Sequence, residues 1–283
     1  MGGKIHLQPD DVKFIRLLGG TFLLLDEAQA AELFGHRSSD WFRRRLKKLA
    51  RDQWVNVREP DDERKVRFFY LGRRGQELLD PDSRNVKIQG RIKQARKFSE
   101  GELPHLRFVN SVHIKFGAAG RDYKDYELVS WIPQYAALWR ALNVDGLPVR
   151  PDGYAHYRKS GRDFHTFIEA DRGSYRGEPV RKKLEGYWRY AASGRSVDHF
   201  STSGFRVLFV TKSARRAKEL IRAMSSYPSE LFWVSVREEF LSQPLFHPHW
   251  QEHSSRVARS LDEPVEPLPE PPETPKSGMV DIG

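Results

Sequence analysis

Three carboxylates and a lysine are the residues of this sequence best placed to do chemistry. Asp152 follows Pro151 at the start of one apolar-rich segment, and Glu169 and Asp171 lie two apart on the next. Residues two apart on a strand share a face. The segments 149–157 and 164–170 are separated by Arg158-Lys-Ser-Gly-Arg162, which predicts a hairpin and lets Asp152 meet Glu169 across it. Three carboxylates on one edge repel each other unless a cation neutralises them. Hard oxygen ligands of this kind suit Mg²⁺ or Mn²⁺, and a metal so held could polarise a phosphodiester and generate a hydroxide nucleophile. Lys182 and Lys183 fall in the following helix, where either could point back at a phosphate and stabilise developing negative charge. The expected catalytic set is Asp152, Glu169, Asp171 and Lys183, with Asp152, Glu169 and Asp171 as metal ligands. A plainer reading stands beside it. Pro-Asp-Gly is a common turn signal, and Glu169 and Asp171 could pair with Arg172, Arg181 or Lys183 as a structural ion network.

Positioning these side chains needs a sheet and covering helices. The apolar spacing predicts a helix over 105–116 and a strand over 126–131, followed by the hairpin. A helix over 179–192 carries Val180, Leu184, Tyr187 and Trp188 on one stripe. Residues 205–211 form a continuous apolar run, expected as a central, buried strand. Ser213 can cap a helix over 214–224 bearing Arg215, Arg216 and Lys218, and 231–236 supplies a last strand. The order argues for an α/β sheet sandwiched by helices.

Ahead of this region the pattern changes. Helices are expected over 10–18 and after Asp26, which can act as a cap, and a third runs over 40–51. In the third, Phe42, Leu46 and Leu49 make one buried stripe, and the rest is basic. Short strands over 54–58 and 66–71 and the sequence YLGRRGQELL at Tyr70–Leu79 complete a winged-helix pattern. A basic third helix suits the major groove, and a basic wing suits the flanking backbone. The expected DNA contacts are Arg43, Arg44, Lys47 and Lys48 on the helix and Arg64 and Lys65 on the wing.

Composition narrows the class further. The 283 residues hold 48 Lys+Arg against 38 Asp+Glu, no cysteine, and 39% hydrophobic residues. The absence of thiols excludes disulfides, zinc fingers, iron–sulfur clusters and thiol catalysis, and fits a reducing cytoplasm. No apolar run approaches a membrane span, and the first residues have no apolar signal-peptide core. No GxxxxGK[ST] motif is present, which argues against a P-loop ATPase. Residues 262–283 contain six prolines, six acids and one lysine, so a disordered acidic tail is expected there. Subtracting its charge of −5 from the total of +10 leaves about +15 on residues 1–261, a balance that favours a polyanionic partner. His247, His249 and His253 read as incidental loop histidines; Tyr187 and Tyr190 have the chemistry of covalent DNA nucleophiles, but helical spacing with Trp188 makes one of them core, against that role.

Pro151-Asp152 followed by Glu169-Ala170-Asp171 resembles the PD-(D/E)xK nuclease superfamily, with Asp171 standing where that pattern has its lysine. In related nucleases a nearby helix can supply the lysine, and Lys183 is the candidate. More narrowly, the chain resembles the replication-relaxation family of plasmid and mobile-element proteins. The resemblance is carried by the winged-helix start and by His105-Leu-Arg-Phe-Val-Asn110. It is carried further by Arg150-Pro-Asp-Gly153 through Phe167-Ile-Glu-Ala-Asp-Arg-Gly173 to Arg181-Lys-Lys-Leu184 and Tyr187, so that it covers roughly residues 10–225. It implies a role in plasmid or integrated-element replication and DNA relaxation.

The expected fold class is thus α+β or α/β: an N-terminal winged helix-turn-helix over 8–80, a linker over 81–102, and a restriction-endonuclease-like αβββαβ domain over 103–240. A C-terminal extension with the Pro/acidic tail follows over 241–283. The expected function is metal-dependent nicking in DNA replication or relaxation, with Mg²⁺ or Mn²⁺ as cofactor. The alternative is a non-enzymatic initiator or transcriptional regulator with a degenerate nuclease-like assembly domain. Double-stranded DNA is the expected partner, without a membrane, joined by a second copy of the chain or by other replication or conjugation proteins.

Overall fold

The computed structural model describes residues 5–33, 39–59, 66–82, 85–140, 142–173 and 177–265. The chain divides between Ala118 and Ala119 into two compact units, and the whole is a mixed α+β protein. Among the described residues no helix is long and apolar enough to cross a membrane.

The first unit runs α1 (Pro9–Gly20), β1 (Leu25–Asp26), α2 (Glu27–Leu33), α3 (Ser39–Arg51), β2 (Val55–Arg58), β3 (Phe68–Leu71), α4 (Arg73–Leu79), α5 (Val86–Lys97) and α6 (Leu103–Ala118). Asp26 caps α2 reciprocally: its Oδ1 accepts from the Gln29 amide at 2.8 Å, and Gln29 Oε1 accepts from the Asp26 amide at 3.3 Å. Phe42, Leu46 and Leu49 of α3 are buried in one core with Phe14 and Ile15 of α1, as the stripe requires. The three strands pair antiparallel in the order β1-β3-β2, so β1 adds a third strand to the expected ribbon. The glycines of the YLGRRG stretch answer to close approach. A Cβ on Gly72 would lie 2.4 Å from the Gln53 carbonyl oxygen, and one on Gly75 would lie 2.4 Å from that of Trp54.

Two boundaries differ from the sequence expectation. The segment 81–102, expected as a linker, contains α5, which buries Ile88 and Ala95 in the cores of this unit. Helix α6, expected with the second domain, belongs to the first. Asn110 Nδ2 donates to the Leu24 carbonyl at 2.6 Å, Gln29 Nε2 donates to the Arg107 carbonyl at 2.6 Å, and Arg107 pairs with Asp26. Its polar side chains satisfy backbone and capping groups around the start of α2, which apolar spacing alone cannot reveal.

His113 of α6 is buried, with its ring 4.6 Å from that of Phe22, and burial pushes its pKa down to about 3. A depressed histidine leaves the folded state without a proton that the unfolded chain takes up below about 6.5. Stability is therefore full above that value and falls as pH drops toward 3, by about 1.4 kcal/mol per pH unit at most. Melting temperatures between pH 7 and pH 4 are expected to fall more steeply for the wild type than for His113→Phe. Parallel slopes would overturn the assignment.

The second unit runs β4 (Tyr126–Pro133), β5 (Asn143–Val144), β6 (Leu147–Pro148), β7 (Gly153–Lys159), β8 (Arg162–Asp171), α7 (Glu178–Ala192), α8 (Ser196–Phe200), β9 (Arg206–Thr211), α9 (Ala214–Met224), β10 (Phe232–Val236) and α10 (Arg237–Ser242). Five strands form a mixed sheet in the order β10-β9-β8-β7-β4, antiparallel from β4 to β8 and parallel from β8 to β10. Every residue of β9 is buried, as its apolar run requires, although β8 takes the middle place. Ser160 and Gly161, both at positive φ, make the two-residue turn between β7 and β8. Leu184, Tyr187 and Leu220 of α7 and α9 pack with Phe167, Val207 and Phe232 of the sheet. The extension from 241 does not hang free. Gln251 exchanges backbone hydrogen bonds with Val234 at 2.8 and 2.9 Å, and Trp250 and Leu261 are fully buried. Residues 266–283 of the expected acidic tail lie outside the described residues.

Candidate active site

Helices α7 and α9 begin beyond the carboxyl ends of the parallel strands β8 and β9, where open α/β sheets characteristically form crevices. Asp152 sits just before β7 and is pinned to β8 on either side of Glu169. Its amide donates to the Ile168 carbonyl at 2.9 Å, and its Oδ2 accepts from the Ala170 amide at 2.8 Å. A Cβ on the next residue, Gly153, would lie 2.5 Å from the ring of Trp131, so any other residue there displaces that ring.

Glu169 is only 3% exposed and is bonded by two residues one helical turn apart on α7. Lys183 Nζ donates to Oε2 at 2.5 Å, and the Tyr187 hydroxyl donates to Oε1 at 2.6 Å. Burial pushes the Glu169 carboxyl up to about 7; the Lys183 ammonium opposes that rise and the Asp152 charge adds to it. Burial likewise holds the Tyr187 phenol well above its usual value, with Glu169 adding to the effect. Lys183 and Glu169 thus meet, and Asp152 is near enough for its charge to act on Glu169.

Asp171 does not join them. Arg216, in the first turn of α9, grips it at both oxygens, Nε to Oδ2 at 2.8 Å and Nη2 to Oδ1 at 3.1 Å, and the Thr211 hydroxyl donates to Oδ2 at 2.9 Å. Asp171, expected as metal ligand or base, is in this structure bonded to a nearly buried guanidinium and to the Thr211 hydroxyl. Among the described residues no three carboxylates or histidines form a group that could hold a metal ion. Asp152 and Glu169 remain as a pair, and Mg²⁺ commonly takes only one or two carboxylates, with substrate phosphates and water completing its shell. The ion-network reading had Lys183 among its partners, and Glu169 does pair with it; Arg216 was missed. Ser213 capping α9, whose hydroxyl accepts from the Arg216 amide at 3.3 Å, is the sequence signal that fixes Arg216 in that first turn. Tyr187 and Tyr190 are both buried, so both are core residues.

In the first unit, Arg43, Arg44, Lys47 and Lys48 lie on the exposed side of α3. Arg43 pairs with Glu27 at 2.7 Å and Asp40 at 3.2 Å, and Arg44 Nε donates to the Asp40 carbonyl at 3.3 Å. Arg45 instead turns inward to Asp11, with Nε 2.9 Å from Oδ1. Arg64 and Lys65 lie outside the described residues. Arg58 of β2 pairs with Glu100 at 2.7 Å, and Arg67, just before β3, pairs with Glu59 at 3.0 Å.

A mostly helical unit that includes the basic helices α3 and α5 is followed by a mixed-sheet unit with a carboxylate–lysine group at the end of its middle strand. The chain belongs to the replication-relaxation family, whose sequence pattern matches residues 21–203, well over half its length. No curated protein sequence matches it. Two structures of the restriction endonuclease FokI, one of them described as bound to DNA, align with 82% of this chain at 12% and 13% identity, with TM-scores of 0.29 and 0.30. The chain spans 43% and 42% of the length of those two structures, and a likeness this loose carries no argument about activity.

Proposed function

We propose that this protein binds DNA and nicks it in the replication or relaxation of a plasmid or other mobile element. Asp152, Glu169 and Lys183 form the reacting group in a nuclease-like second unit. The observation that carries this reading is the meeting of Lys183 with Glu169 beside Asp152, three residues far apart in sequence and matched in chemistry to a phosphodiester. Asp152 and Glu169 would hold Mg²⁺ or Mn²⁺, which when bound supplies Lewis acidity and an activated water. Glu169 is held by Tyr187 in one orientation, which fixes one oxygen while leaving the other facing Lys183. Lys183, whose side chain is 37% exposed, would turn from Glu169 toward a phosphate oxygen as charge develops there. In the first unit, α3 and the strand pair β2–β3 would act as a winged helix, with Arg43, Arg44, Lys47 and Lys48 toward duplex DNA and Arg64 and Lys65 on the wing.

A second reading has its own support. Both Glu169 oxygens already have donors, and Asp171 stands where a lysine is expected, as suits a non-enzymatic initiator or regulator. Supercoiled plasmid carrying the protein's own genetic neighbourhood separates the two. Under the first reading, wild type opens circles with Mg²⁺ or Mn²⁺, EDTA stops it, and Asp152→Ala does not nick. DNA binding without nicking by either protein in both metals would leave the second.

A further inference from the structure

Helix α9 carries a charged face that the proposed site does not use. Ala217, Leu220 and Met224 are buried against the sheet, while Arg215, Lys218 and Arg222 are exposed. Spacings of three and four residues put them in one stripe, about 4.5 and about 6 Å apart along the axis. Lys212, just before the helix, is also exposed. Glu219, the one acid of α9, is engaged by Arg216 at 3.2 Å and lies 4.0 Å from Arg215. The charge of Arg216 itself is taken up by Asp171. The exposed stripe is therefore net positive. It borders a cleft of about 490 Å³ between α7 and α9, lined by three arginines, Arg181, Arg216 and Arg222, and one acid, Glu219, among others.

We propose that this stripe and cleft hold the phosphate backbone of the nucleic-acid strand that enters the Asp152–Glu169–Lys183 site. The inference rests on the reading given above. A phosphodiester backbone is a regular array of anions that a straight row of cations can meet one after another. The Arg216–Asp171 clamp ties the first turn of α9 to the end of β8, two residues from Glu169. A strand held on α9 is thus kept in register with the carboxylates. The second unit then grips its substrate without relying on α3.

The test uses the full chain carrying Arg215→Gln, Lys218→Gln and Arg222→Gln together, and each change alone in case the triple variant melts early. A Lys47→Gln, Lys48→Gln variant on α3 serves for comparison. Labelled duplex and single-stranded DNA of one length are titrated in EDTA at several salt concentrations. Each phosphate contact contributes about 0.7–0.9 to the slope of log affinity against log salt. The triple variant is expected to lose about 2–3 from that slope and about tenfold or more in affinity at 0.1 M salt, the single variants a proportionate part. Affinity and slope equal to wild type, in a protein that still nicks plasmid and is weakened by the α3 change, would overturn this inference alone. Wild type that binds neither DNA would overturn it together with the function it rests on.

Discussion

Lys183→Ala is expected to fold, to keep its affinity for DNA within a few-fold, and to lose plasmid nicking by about two to three orders of magnitude, the usual cost of removing one preorganised donor to developing charge. The reason lies in how α7 presents the side chain. Leu184 and Tyr187 anchor the helix in the core, so Lys183 is held at Glu169 without being buried itself. One phosphate contact is a small part of total DNA affinity, whereas charge stabilisation at the reacting phosphate acts on the rate. Lys183→Arg should recover little, because a planar fork does not replace a compact ammonium beside Tyr187. Single-turnover nicking against DNA concentration reads the two effects separately. A loss confined to affinity would make Lys183 a binding residue, and unchanged nicking would remove it from the chemistry.

The parts of this site that were legible in the sequence are those fixed by local rules. The hairpin of β7 and β8 follows from two apolar-rich segments separated by the short Arg158–Arg162 stretch that holds the Ser160-Gly161 turn. The position of Lys183 follows from the 3.6-residue period of α7, and the start of α9 follows from the Ser213 cap. What sequence spacing does not encode is which strands lie side by side. The register Asp171↔Thr211 between parallel β8 and β9 brings Arg216 to a carboxylate 45 residues earlier, and no local pattern announces such a pair. The same limit hid the membership of α6 in the first unit, which depends on Asn110 and Arg107 meeting the start of α2. It also hid the packing of Trp250 and Leu261, single apolar residues in a polar stretch with no period to read. The β5–β6 hairpin, two residues to a strand with its turn at Asp145 and Gly146, is too short to leave a pattern.

Asp171 provides the second large expected effect, and it falls on stability. The Arg216 side chain is 6% exposed and that of Asp171 10%, so Asp171→Ala takes the bidentate carboxylate from a nearly buried guanidinium and leaves it Glu219 at 3.2 Å. Breaking a buried pair from one side typically costs about 3–5 kcal/mol, which for a domain of this size lowers the melting temperature by roughly 10 °C. Asp171→Lys, which writes the lysine of the nuclease pattern into its usual position, should be worse, because it sets a second cation against Arg216. Adding Arg216→Met to Asp171→Ala removes the guanidinium as well and should restore most of the lost stability, since a buried ion pair is often replaceable by apolar side chains at little net cost. Melting curves of the two single variants and the double variant give the coupling, and nicking per folded molecule gives the role. Recovery of stability in the double variant, with nicking reduced no more than several-fold, identifies Asp171 as a positioning residue. It would then hold α9 to β8 while Asp152, Glu169 and Lys183 meet the substrate. A single variant as stable as wild type but unable to nick would instead return Asp171 to the reaction.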